Sequence, residues 1–417
     1  MKVLYLAPPS ESAEGALAYS FLHEEAAALQ ASGHQLYVVG LHGRDRELDG
    51  LRVRVLPPGN WRERTGTPGF LWRRRGSFPG GLGLREWVTA FHLARIERFV
   101  ARLVIREGIA LVHSHFAWPE GLGGAMAAAE TGRPLIATFR GMDLDVHEGL
   151  AYGMRRNTSM AHAIRTLIRR ADRTTYVSEY LRRIGLSLGA DPATAITILK
   201  GVDLERFSPV SDRKELGREL GLPGPLLLSV GGLQRLKGLH YVLDALALLK
   251  DGPLKDAPPF TYAVVGEGEE KKSLETQALR LGLETRVRFL GRLDRVQIPR
   301  YFAACDALIV GSLTEGAGNV SLEAMACGRP VLATDSGGPP EYVADGETGF
   351  VVPVGDVPAM ADRVGRLLQD PALADGLGRA GRRRMVEGFG YSRMIREIAS
   401  LYEEVFRSAG ACTASNR

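Results

Sequence analysis

The feature that most constrains the fold is a rhythm: short apolar runs alternate with amphipathic stretches along almost the whole chain. The first series of strand-like runs is VLYLA (3–7), QLYVVG (35–40), RVRVL (52–56), IALVH (109–113), PLIATF (134–139), TTYVS (174–178) and AITILK (195–200). A second series is PLLLSV (225–230), FTYAVVG (260–266), RVRFLG (286–291), DALIVGS (306–312), PVLATD (330–335) and GFVVPV (349–354). Between them lie amphipathic stretches such as Tyr19–Ser32, Trp87–Glu107, Leu239–Lys250 and Ser321–Cys327, and Gly33, Gly108 and Gly328 stand where helices should stop. Strand, helix, strand in this order predicts right-handed parallel βαβ units and doubly wound α/β sheets. One open sheet of about thirteen strands would be unusual, so the two series predict two Rossmann-like domains. The polar, aperiodic segment 201–213 marks the join. The expected division is 1–203, joined by a helix at about 391–410, and 204–390. That last helix carries Met394, Ile395, Ile398, Leu401, Tyr402, Val405 and Phe406 on one stripe.

Composition removes several function classes. A length of 417 residues with 45% hydrophobic and 24% charged content fits two or three globular domains. No apolar run approaches the roughly 18 residues that span a bilayer. The start, MKVLYLAPPS, reads as a first strand, since a secretory segment would have a longer apolar core. Three cysteines, Cys305, Cys327 and Cys412, lack CxxC spacing, which argues against a zinc ribbon and for a reducing cytoplasm. A net charge of +5 is compatible with nucleic acid, membrane surfaces or phosphorylated ligands and does not choose among them.

Doubly wound sheets bind ligands outside the carboxyl ends of their strands. After PLLLSV comes GGLQRLKG (231–238), whose glycines let the backbone approach a ligand and whose Arg235 and Lys237 suit a diphosphate. The same residues also suit a glycine-rich turn with two solvated cations. After DALIVGS comes TEGAGNVSLEAMACGRP (314–330). Gly316, Ala317, Gly318 and Asn319 precede a helix start, where free amides hold phosphate oxygens. Carboxylates beside an anion loop would repel a bare phosphate. A nucleotide sugar resolves this, because Glu323 can accept from a ribose diol and Glu315 from a second polyol. The alternative is that Glu323 favours the helix dipole and Glu315 is a loop charge.

In the first series, HSHF (113–116) and RGMD (140–143) end two strands. One histidine is expected to face the core and the other, His115, the cleft. Arg140 and Asp143 are acceptor-side candidates that could equally be structural. Residues 57–85 break the rhythm with six arginines, one glutamate and the aromatics Trp61, Phe70, Trp72 and Phe78. They predict either contact with an anionic membrane surface or a solvated insertion.

The run SLTEGAGNVSLEAMACGRPVLATDSGGPPEYVADGETGFVVPVGD (312–356) resembles the retaining family-4 glycosyltransferases of GT-B fold. It holds their Glu-x7-Glu pair (Glu315, Glu323), EAMA-x-G helix, GG-x-x-E turn (Gly337, Gly338, Glu341) and DG-x-TG hairpin (Asp345, Gly346, Thr348, Gly349). KGVDLERFSP, VGEGEEKKSLE and the H-x-H pair support it. The early PSESAEGALAYSFLHEEAAALQASGH is similar to the start of bacterial exopolysaccharide, colanic-acid and lipopolysaccharide-type hexosyltransferases.

The resemblance implies an N-terminal acceptor-binding domain and a C-terminal donor-binding domain. Glu323 would bind the ribose. Glu315 and the amides of Gly316, Ala317, Gly318 and Asn319 would hold donor sugar and phosphate. Lys237 would stabilise the departing diphosphate, with His115 by the transferred sugar. Gly15 and Arg235 are further donor-side candidates. The family needs no metal or other cofactor. The expected reaction moves a hexose from a nucleoside diphosphate to a glycan or lipid-linked acceptor with retention, in cell-surface polysaccharide synthesis, at the cytoplasmic face of the membrane and with no nucleic-acid partner. A sugar-nucleotide epimerase and a non-catalytic sugar-nucleotide-binding protein are the alternatives. The chain departs from the family pattern at three places. Gly232 replaces a phosphate-binding arginine, Arg140 replaces a histidine, and an early Gly-Gly loop is reduced to Gly15.

Overall fold

The computed structural model describes residues 1–7, 20–41, 44–48, 50–57, 84–252 and 260–414. Gly15 and most of the basic, aromatic segment 57–85 lie outside the described residues.

The chain divides into two compact units, Met1–Leu199 with Met394–Arg417, and Lys200–Arg393. The join falls just before the predicted segment because Val202 N donates to Phe389 O and Arg382 reaches Phe207 O, both inside the second unit.

The first unit is built on an eight-stranded sheet. Its strands are β1 (Lys2–Leu6), β2 (Gln35–Gly40), β3 (Arg46–Leu48), β4 (Leu51–Val55), β5 (Leu111–His115), β6 (Leu135–Phe139), β7 (Arg173–Tyr176) and β8 (Ala195–Thr197). The order is β3-β4-β2-β1-β5-β6-β7-β8, parallel except where β3 meets β4. Central strands β5 and β6 are buried at every position, as parallel strands covered on both faces must be. Strand β3 was not legible: it has three residues, two of them charged, and caps an edge.

The second unit has six parallel strands, β9 (Leu226–Val230), β10 (Thr261–Val265), β11 (Val287–Gly291), β12 (Ala307–Val310), β13 (Val331–Thr334) and β14 (Gly349–Val352), in the order β11-β10-β9-β12-β13-β14. Its core includes Leu227, Val242, Leu246, Tyr262 and Leu332, all fully buried between sheet and helices.

The final helix, Tyr391–Ala414, buries Met394, Ile395, Ile398, Leu401, Tyr402 and Val405. Phe406, expected on the same stripe, is 46% exposed. Among the described residues no helix is long and apolar enough to cross a membrane.

Candidate active site

Strands β9 and β12 are neighbours, so the loops leaving their carboxyl ends meet. The approach is close: a Cβ on Gly238 would fall 1.9 Å from Gly311 O, and Gly238 has φ 62°. Glycine meets both demands. This approach sets Lys237, at the end of the turn Arg235–Lys237, against Glu315. Lys237 Nζ donates to Glu315 Oε2 at 2.5 Å, and Ser312 Oγ donates to the same oxygen at 3.3 Å. The two charged side chains are 29% and 19% exposed, so the pair borders solvent. Ser229, Gly231, Gly232 and Ser312 line a hollow with it.

The backbone of Glu315 is clamped by the GG-x-x-E turn. Its amide donates to Ser336 O and its carbonyl accepts from Gly338 N, both at 2.8 Å. Gly318, at φ 80°, then opens the helix Asn319–Ala326. Among the described residues no protein acceptor takes the amide hydrogens of Gly316, Ala317, Gly318 or Asn319. Glu323 is half-buried one turn into this helix. Arg235 is not part of the cluster. Its guanidinium is 51% exposed and 3.7 Å from Glu270, towards the loop after β10.

In the first unit, the expectation that His113 and His115 split between core and cleft is wrong. Residues two apart on a strand share a face. Both rings are buried, with centroids 4.1 Å apart. His113 Nδ1 lies 2.6 Å from Tyr402 Oη and its Nε2 2.7 Å from Thr138 Oγ1. Burial pulls its pKa down to about 3. His115 Nδ1 lies 2.9 Å from Arg140 Nη2. The same Nη2 donates to Glu25 Oε1 and Oε2 at 2.9 and 3.1 Å, and Tyr5 Oη donates to Glu25 Oε1 at 2.9 Å.

Asp143 is fully buried, and its carboxylate accepts from the amides of Arg140 and Gly141. Burial nevertheless pushes its pKa up to about 6. Arg140 thus stands in an ion pair, and Asp143 holds the turn after β6.

Sequence reasoning missed Glu25. Its signal was present: Leu22, Glu25, Ala26 and Leu29 share one helical face by spacing, and all are buried. A carboxylate on an apolar face demands a partner.

Residues 20–206 match the Glycosyltransferase Family 4 model, and residues 212–384 the model described as glycosyl transferases group 1. The chain belongs to the family-4 glycosyltransferases. A D-inositol 3-phosphate glycosyltransferase of Streptomyces avermitilis is 34% identical over 302 residues, which is 70% of this transferase and 64% of that protein. The match spans just under two thirds of that relative's length. A GDP-mannose-dependent alpha-(1-6)-phosphatidylinositol monomannoside mannosyltransferase of Mycolicibacterium smegmatis is 33% identical over 315 residues, 72% of this transferase and 78% of that protein. Among solved structures, sucrose-phosphate synthase from Thermosynechococcus elongatus matches with a TM-score of 0.78 at 22% identity, covering 98% of this transferase and 99% of that chain. An Anabaena protein solved with UDP and glucose matches with a TM-score of 0.75 at 22% identity, covering 97% and 100%. These likenesses show the GT-B fold.

Proposed function

We propose that this transferase moves a hexose from a nucleoside diphosphate to a hydroxyl of a phosphorylated-polyol, glycan or lipid-linked acceptor, with retained anomeric configuration. The observation that carries the reading is the Lys237–Glu315 contact beside the amides of Gly316 to Asn319. A cation and helix-start amides suit a diphosphate. Carboxylates beside them suit sugar hydroxyls.

In this mechanism the bond between the sugar's anomeric carbon and the diphosphate oxygen breaks as the acceptor oxygen attacks from the same face. Negative charge gathers on the leaving diphosphate, where Lys237 and the loop amides stabilise it. A diphosphate oxygen takes the acceptor's proton. Glu323 accepts from the ribose, and His115 lies by the transferred sugar. Lys237 supplies positive charge at the leaving group, and we propose that no metal is needed.

The relatives named for inositol 3-phosphate and for a phosphatidylinositol mannoside support an acceptor bearing a phosphate and a polyol. Synthesis of a cell-surface glycan at the inner membrane face, with residues 57–85 against anionic lipid, belongs to the same proposal.

A panel of UDP- and GDP-sugars, read by thermal shift, identifies the donor, because a ligand of the folded state raises apparent stability. Release of nucleoside diphosphate is then measured with inositol phosphates, phosphatidylinositol or lipid-linked glycans, and in the presence of EDTA. Acceptor-dependent release that survives EDTA, with the anomeric signal of the product unchanged from the donor, is expected. Donor interconversion without an acceptor would instead establish an epimerase. Binding without release for every acceptor would establish a non-catalytic protein.

A further inference from the structure

The geometry points to Arg140 as a positioning residue that locks His115 as the tautomer protonated on Nε2, so that His115 meets its ligand as a hydrogen-bond donor. The argument begins with what each group can do. A guanidinium has N–H donors and no acceptor. Arg140 Nη2 is 2.9 Å from His115 Nδ1, so Nδ1 must present its lone pair and the ring proton must sit on Nε2. An imidazolium, which donates from both nitrogens, cannot make this contact.

The arginine is itself fixed. Nη2 carries two hydrogens, and its second direction is taken by Glu25 at 2.9 and 3.1 Å. The ion-paired side chains are 6% and 2% exposed. Tyr5 Oη donates to the same carboxylate, and the Tyr5 ring lies 4.1 Å from the His115 ring. The groups in contact with His115 or with its partner come from three elements besides its own strand: Tyr5 on β1, Glu25 on the helix Ser20–Ala31 and Arg140 after β6, with His113 beside it on β5. His113 differs from its neighbour. Its partners are the hydroxyls of Tyr402 and Thr138, which both donate and accept and so fix no tautomer.

The consequence for catalysis rests on the reading that His115 lies by the transferred sugar. The His115 ring is fully buried in this structure, so the sugar must reach it by an opening of the surrounding side chains. A locked Nε2–H then donates to a hydroxyl oxygen of that sugar. It cannot take the acceptor's proton, because the basic nitrogen is occupied by Arg140. Arg140, standing where the family pattern has histidine, thus decides the chemistry of a residue it touches from behind.

The test uses the full chain with 15N-labelled histidine, recording long-range 1H–15N spectra that separate bare from protonated ring nitrogens. The His115 signals are assigned by their loss in His115→Gln. The expected result is a bare Nδ1 and a protonated Nε2 in the wild type at neutral pH. Arg140→Met should release the preference, and Arg140→Lys, which keeps a donor, should largely restore it. The double variant Glu25→Gln/Arg140→Met removes the ion pair as a unit and serves if the single variant does not fold. A wild-type His115 protonated on Nδ1, or on both nitrogens, overturns the assignment, as does an unchanged tautomer in the methionine variants. Nucleoside diphosphate release is assayed in parallel. If the tautomer is as expected and the wild type transfers no sugar, the transferase reading fails and the lock stands.

Discussion

His113 Nδ1 and the hydroxyl of Tyr402 meet at 2.6 Å across 289 residues of sequence. The chain of contacts continues from His113 Nε2 to Thr138, and from Thr138 to Thr175 at 2.5 Å. One row of side chains thus ties β5, β6 and β7 to the last helix. Burial holds the Tyr402 phenol protonated, well above its usual pKa.

Tyr402→Phe removes the hydroxyl while keeping the ring. It leaves His113 Nδ1 buried without that partner, and the expected loss is about 1–3 kcal/mol. Urea unfolding followed by circular dichroism reads it. An unchanged midpoint would mean that the helix is held by its apolar stripe alone.

Glu120, 3% exposed in the turn after β5, has a pKa pushed up by burial to about 7. The folded carboxyl therefore holds its proton up to pH of about 7, whereas the unfolded one loses it near 4.5. Between these values the folded state binds more protons, so stability falls as pH rises and the loss is complete above pH of about 7. Glu120→Gln removes this penalty, which amounts to about 3 kcal/mol at full ionisation. Unfolding midpoints at pH 5 and pH 8 check it. The variant should gain on the wild type at the higher pH, and an equal difference at both values counts against the assignment.

The fold was legible because its signal is repeated. Every apolar run quoted became a strand, and Gly33, Gly108 and Gly328 do end helices, at φ 97°, 64° and 71°. The cluster at the ends of β9 and β12 was half legible. Lys237 and Glu315 could be nominated from loops after strands, but their contact depends on β9 lying beside β12, which sequence order does not state. The first unit was read least well. Glu25, Arg140, His115 and Tyr5 come from four separate segments, and only their folded distances show that Arg140 meets both Glu25 and His115. Phe406 illustrates the opposite error, since its spacing matched the stripe while the helix turned it to solvent.

Lys237 is the cation the structure sets at the meeting of the β9 and β12 loops, and Gly232 offers no side chain beside it. If Lys237 acts on charge that grows on the leaving diphosphate, Lys237→Ala should lower kcat by about 10²–10³ as well as weakening donor affinity. Steady-state kinetics with saturating acceptor separate the two. A normal kcat with only a raised donor KM would assign Lys237 to ground-state binding.

Glu323 is proposed to accept from the ribose, which is common to every candidate donor. It sits half-buried on the helix whose opening amides face no protein acceptor among the described residues. A carboxylate there can take two hydroxyl hydrogens, so Glu323→Ala should weaken nucleoside diphosphate binding by about 1.5–3 kcal/mol. Glu323→Gln keeps one acceptor oxygen and should lose less. The corresponding 2′-deoxynucleotide should bind the wild type more weakly and the alanine variant equally well, since the lost hydroxyl then has no partner to miss. Calorimetry with both nucleotides reads all four affinities, and circular dichroism confirms that the variants fold. Unchanged affinity in a folded alanine variant would remove Glu323 from the donor site, and an undiminished deoxy penalty would place its action away from the 2′-hydroxyl.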